Sequence, residues 1–135
     1  MKKLFYILTL AVVLSACEKE NNALAFKGTY VGDFRLMANG QLQIIPAELS
    51  LAKPNFELTK GPKLGNGTFK VEDKMNITFI DINVWTADFN WNLILSGPYT
   101  YQVLGDSLIL TKKFDLPKAS TDSYYYQYRL KRVRE

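Results

Sequence analysis

From residue 26 onward, apolar and polar residues alternate with a period of two, the signature of strands with one buried face. In Gly28–Met37, Tyr30, Phe34 and Leu36 share one face, with Thr29, Asp33 and Arg35 opposite. Ala38-Asn39-Gly40 then turns the chain. A two-residue Asn39-Gly40 loop would pair Leu36 with Gln43, whereas a three-residue loop pairs Leu36 with Leu42 and Phe34 with Ile44. Register normally follows the buried face, so the apolar pattern predicts the longer loop, with Gly40 left-handed. Ile45, Ala47, Leu49 and Leu51 then continue on odd positions, with Pro46 at the switch, where it predicts a bulge or an edge.

Further strands are predicted around Phe56 and Leu58, and around Phe69 and Val71, with a turn at Glu72-Asp73-Lys74. Met75–Val84 is a strong β run that changes phase between Phe79 and Ile80, which predicts a bend. Phe89, Trp91, Leu93 and Leu95 alternate with Asn90 and Asn92, and this predicts another strand with Trp91 in the core, ending at Gly97-Pro98. The clearest unit is Tyr99–Lys112. A Gly105-Asp106 turn pairs Val103 with Leu108 and Tyr101 with Leu110, and glycine first suits a type II′ turn. The polar stretch Phe114–Ser123 carries Pro117 and reads as a loop. The last strand puts Tyr124, Tyr126, Tyr128 and Leu130 inward, with Tyr125, Gln127, Arg129 and Lys131 outward. About nine strands with turn signals at short, regular spacing, and no helical period between them, predict an all-β sandwich or barrel. Closure would remove the exposed edges of an antiparallel sheet, and pairing of the last strand with Gly28–Leu36 is the expected seam.

The N-terminus breaks this pattern. Lys2 and Lys3 precede an almost wholly apolar run, Leu4–Val13, and small residues follow at Ser15 and Ala16. That is the layout of a secretory signal peptide. The run is too short for a spanning helix, which needs ~20 apolar residues. Leu14-Ser15-Ala16-Cys17 resembles the lipobox of bacterial lipoproteins, in which the cysteine is acylated and becomes the first residue of the mature protein. The resemblance implies a signal peptide over 1–16, a lipid anchor at Cys17, a tether over 17–25 and one domain over 26–135. Several acyl chains give stable anchoring where one would not, at about 0.8 kcal/mol per buried CH₂. Glu18-Lys19-Glu20 resembles the acidic export tag of surface lipoproteins in Bacteroidota-type bacteria. The expected location is therefore the outer membrane, at its periplasmic face or on the cell surface.

Composition narrows the chemistry. The chain carries 17 Lys and Arg against 13 Asp and Glu, but removal of residues 1–16 takes away two lysines and no acid. The remaining balance gives no support to nucleic-acid binding. One cysteine excludes an internal disulfide, and the lack of histidine excludes Ser-His-Asp and Cys-His catalysis and every histidine-containing metal site. Neither a metal site nor a cofactor is expected. Glu57 with Glu72, or Asp81 with Asp88, could form a carboxylate pair, but no spacing in the sequence points to acid–base work.

Three segments resemble the small lipocalin-like lipoproteins of bacteria: Gly28-Thr29-Tyr30-Val31-Gly32, then Gly97–Tyr101 running to Gly105–Leu110, and Tyr126–Leu130. The first has Tyr30 where lipocalins usually place Trp. The resemblance implies an antiparallel up-and-down barrel of about eight strands with an interior that can hold a ligand, and it transfers no binding residue. Trp85, Tyr99 and Tyr101 are the candidate ligand-binding residues, with Phe89 and Trp91 close by in sequence; the same aromatics could simply fill a small barrel. Arg129, Lys131, Arg132 and Arg134 form a basic end that could meet anionic lipid or glycan, or be a solvated strand face. The expected function is a non-enzymatic envelope lipoprotein that binds an apolar or saccharide ligand. The alternative is a protein-interaction module, such as a hydrolase inhibitor or an accessory subunit. A hollow interior would favour the first; a filled interior with an exposed apolar loop patch would favour the second.

Overall fold

The computed structural model describes residues 26–86, 89–114 and 124–134, the last without its side chain. Cys17 with its lipobox, the tether, Asp88 and the Pro117 segment lie outside the described residues. Eight strands form a closed antiparallel barrel in sequence order: β1 (Lys27–Ala38), β2 (Gln41–Ala52), β3 (Asn55–Lys60), β4 (Gly65–Val71), β5 (Asn76–Asp81), β6 (Gly97–Leu104), β7 (Ser107–Lys112) and β8 (Tyr125–Arg134). This is the up-and-down architecture of lipocalin-like barrels.

The seam between β1 and β8 falls where two long amphipathic strands meet, with Gly32 opposite Leu130 and Phe34 opposite Tyr128. A Cβ at Gly32 would run into the carbonyl of Arg129, so glycine lets the seam close. The inward set alternates along each strand: Tyr30 and Phe34, Leu49 and Leu51, Phe56 and Leu58, Ile77 and Phe79, Tyr99 and Tyr101, Leu108 and Leu110, then Tyr126, Tyr128 and Leu130, all buried. Aromatic rings interlock edge to face across this interior, as in Phe56–Phe79 at 5.3 Å and Phe79–Tyr99 at 5.5 Å.

Connections alternate between two ends. At the turn end lie the short links after β2, β4 and β6 and the arrival of the chain at Phe26; at the loop end lie the links after β1, β3, β5 and β7. Phe26 is buried and packs against Phe69 and, edge-on at 5.1 Å, Tyr101, which closes the turn end.

Four expectations need correction. The β1–β2 turn has two residues, with Asn39 at φ 52° and Gly40 at φ 72°, so Leu36 faces Gln43 and Arg35 faces Ile44. This hairpin tip extends past β3, with Leu42 and Ile44 exposed on its outer face, and the Asn-Gly turn chemistry sets its register. The same register brings Tyr30 opposite Leu49 and Gly32 opposite Ala47, so the odd phase of β2 needs no bulge. Pro46 lies beyond the last β2 residue that pairs with β3, Glu48, and is therefore an edge proline.

The β5 run does not bend inward. It ends at Asp81, and Ile80, Ile82 and the 89%-exposed Val84 all face solvent. The ninth strand is absent. Residues 91–93 form a short 3₁₀ turn, Trp91–Leu93, started by Asn90, whose side chain accepts from the Asn92 N–H at 3.1 Å. The buried residues of this segment are the consecutive pair Ile94 and Leu95, which fold over the mouth, while Trp91 is 52% exposed. Gly97-Pro98 opens β6 instead of closing a strand.

Candidate functional site at the loop end

The β5–β6 connection is built on Asp81, the last residue of β5. Its carboxylate accepts from the Asn83 N–H at 2.8 Å, from Asn83 Nδ2 at 3.2 Å and from Trp85 Nε1 at 3.0 Å. Those three bonds fold the chain back sharply after the strand and hold the indole of Trp85 half-buried. Trp85 meets the Phe89 ring edge-on at 5.6 Å, and Phe89 stacks on Trp91 at 5.0 Å with the planes 17° apart. Lys63, from the β3–β4 loop, sets its ammonium 4.2 Å from the centre of the Phe89 ring, a cation–π contact that ties the two loops together. Exposed Leu64, Ile82 and Val84 come from the same two loops.

Side chains from β7 and β8 also fasten this connection to the barrel. Lys112 stands in the inward phase of β7, and its ammonium donates to the carbonyls of Ser96 at 3.1 Å and Ile94 at 3.5 Å, beside the Tyr99 ring. Burial pushes the Lys112 pKa down from the ordinary lysine value. On the other side Asn90 Nδ2 donates to the Tyr126 hydroxyl. Tyr126 belongs to a second aromatic group, with Phe114 5.1 Å from both Tyr124 and Tyr126. Burial and the hydroxyl contact with Tyr126 push the Tyr124 phenol up to about 12.

The three sequence-predicted residues do not share a wall. Tyr99 and Tyr101 are 1% and 7% exposed and belong to the filled interior. The Tyr101 hydroxyl donates to the Asp73 carbonyl at 2.7 Å, at the turn end, whereas Trp85 lies at the loop end. The two larger clefts described are on the outer wall, one of about 310 Å³ over Ser50, Glu57 and Thr68, the other of about 350 Å³ over Val31, Ile109 and Arg129. In the basic end, Arg132 reaches Asp106 at 3.3 Å, Arg129 donates to Gln127, and Arg129 and Lys131 border the second of these clefts; the Arg134 side chain lies outside the description. Glu57 lies in mid-strand and Glu72 beyond β4, so the first carboxylate pair finds no common site. Asp81 of the second pair is committed to Asn83 and Trp85. No cluster of metal-ligating side chains occurs among the described residues.

Phe89 was grouped with Trp85 and Trp91 by the sequence, whereas Lys63 and Lys112 were not legible as site residues, because their contacts join separate elements. Lys112 did carry a signal, since it shares its phase with Leu108 and Leu110. The site is thus a solvent-facing aromatic ledge on a small closed barrel whose interior, among the described residues, is occupied by packed aromatic and aliphatic side chains. Comparison with family models, curated proteins and solved structures finds no match to this chain.

Proposed function

We propose that this chain is a lipid-anchored protein of the cell envelope that binds rather than catalyses, and that it engages a protein partner through the outer surface of its loop end. The observation that carries the reading is the contrast between a filled interior and the exposed ledge of Trp91, Val84 and Leu64. Exposed apolar groups gathered on two loops mark interaction surfaces, and an aromatic held by neighbours on one face is a low-entropy anchor for a partner. A saccharide is the second reading, because the exposed Trp91 is flanked in sequence by the exposed Asn90 and Asn92, residue types that suit a ring with one apolar and one hydroxylated face. The anchor rests on the lipobox at Cys17 and the membrane association it implies.

Affinity capture from solubilised envelopes tests the proposal, with wild type, Trp91→Ala and Lys131→Ala compared side by side. A partner retained by wild type and by Lys131→Ala but lost with Trp91→Ala supports it. Retention of soluble glycan with the same mutant pattern selects the saccharide. A stoichiometric small molecule released from the barrel in native mass spectrometry would overturn binding at the outer surface. Cys17→Ser should move the protein out of the detergent phase, and unchanged partitioning removes the anchor.

A further inference from the structure

The upper half of β2 is an open strand edge. β2 pairs with β1 over its whole length, from Ala52 to Gln41, but with β3 only from Ala52 to Glu48. No backbone hydrogen bond outside the β1 ladder reaches residues 41–47 among the described residues. Counting from the two-residue turn shows which groups are free. Ala38 and Gln41 flank the turn and exchange both bonds, so the positions alternate, and Leu42, Ile44 and Pro46 direct their backbone groups away from β1. Pro46 therefore removes a donor only from the open edge and none from the ladder. Leu42 and Ile44 leave two donors and two acceptors unpaired by backbone, under side chains 45% and 54% exposed on the outer face.

Exposed edges are normally blunted with charged side chains, which keep a protein from pairing with itself. From Leu36 to Ala47 this chain has none. We propose that the edge Gln41–Ile45 pairs with the same edge of a second copy of this chain. A two-fold antiparallel register centred on Gln43 sets Leu42 of each copy opposite Ile44 of the other. It satisfies both backbone groups of each residue and brings the four exposed side chains together on one face. The copy is the occupant that fits, since identical uncharged edges meet without repulsion and a strand's backbone is the one surface complementary to a strand edge. The pairing does not depend on the function proposed above. In a membrane-anchored protein the pair lies along the membrane, because the two positions of Phe26 fall at its opposite ends.

Sedimentation equilibrium of the purified full chain tests this. Wild type should be a dimer at micromolar concentration. Ile44→Pro, which removes one outward N–H and leaves the β1 ladder intact, should raise the dimer dissociation constant at least ten-fold, and Ile44→Lys more. Circular dichroism melts of both variants establish that the barrel still folds. In a Cys17→Ser background, Gln43→Cys should form an intermolecular disulfide under mild oxidation, while Gly105→Cys, at the other end, should not. A wild-type monomer at all concentrations would overturn the pairing. So would a dimer unmoved by both Ile44 substitutions, or protection of the Leu42 and Ile44 amides that appears only with a different protein, which would assign the edge to a foreign strand.

Discussion

The hairpins β1–β2 and β6–β7 both turn on two residues, yet only one is packed to its tip. In β6–β7 the buried Leu108, opposite Val103, lies one pair from the turn. In β1–β2 the last fully buried position is Phe34, and four more pairs run on to Asn39-Gly40. A side chain fixes register only where moving it by one place would pull it out of a core. Along β6–β7 burial and turn chemistry demand the same pairing. Along the overhang of β1–β2 no side chain is fully buried, Leu36 being only partly so, and the turn decides. The lower part of the hairpin then inherits a register in which its inward residues are even on one strand and odd on the other.

The largest test of this contrast is in the packed hairpin. Leu110 is fully buried between Tyr101 and Tyr128 in the ladder, and Leu110→Ala should cost ~2–5 kcal/mol in a denaturant melt. A loss under about 1 kcal/mol would show that the hairpin is no better packed than the overhang.

The strand beside it gives a smaller effect of opposite sign. The Tyr128 hydroxyl is buried with no hydrogen-bond partner among the described residues, and burial holds its pKa well above the ordinary phenol value. An unpartnered buried hydroxyl costs about 1–3 kcal/mol, so Tyr128→Phe should raise stability by about 1 kcal/mol at neutral pH. A phenol whose pKa is raised on folding stabilises below its unfolded pKa, and that contribution is lost as pH climbs from about 10 toward the folded value. The wild type should therefore lose stability above about pH 10, and Tyr128→Phe should flatten that fall. Destabilisation by the substitution would mean that the hydroxyl is satisfied.

The smallest test separates the turns themselves. Gly105 has φ 62° and Gly40 has φ 72°, and a Cβ at either would meet nothing within 4 Å, so the cost of alanine is backbone strain alone. Gly105→Ala should cost ~1–2 kcal/mol in global unfolding. Gly40→Ala should cost about half as much, because an overhang can fray without opening the barrel. Equal losses would show that the tip unfolds with the body.

These cases also show what was legible in the sequence. The β6–β7 pairing, the inward tyrosines of β8 and the β1–β8 seam could be read because alternation there coincides with burial. The segment 80–95 could not. Ile80, Ile82 and Val84 alternate as a core strand would, but Ile80 lies on the outer face of β5, and Ile82 and Val84 face solvent past the end of the sheet. Phe89 to Leu95 alternates as well, yet Asn90 offers its side chain to the Asn92 N–H and winds the chain into a 3₁₀ turn. Period two states what a strand would look like; it does not state that neighbouring strands extend far enough to pair with it. The two asparagines flanking Trp91 were the available warning, since such residues bond their own backbone in turns. The candidate site suffered from the same limit, because the Trp85–Phe89–Trp91 ledge depends on where Asp81 redirects the chain.

The arrival of the chain at Phe26 has a mechanical meaning. Residue 26 leads straight into β1, the strand with the two longest ladders, twelve residues against β2 and nine against β8. A pull through the N-terminus, with the barrel held by its loop end, acts along β1. The hydrogen bonds on both flanks then bear the load together in shear, instead of parting one after another as they would if a hairpin were peeled open. Phe26, wedged against Tyr101 and Phe69, must leave its seat before the first of those bonds is stressed. The barrel is thus fixed to whatever precedes it by its most tear-resistant strand.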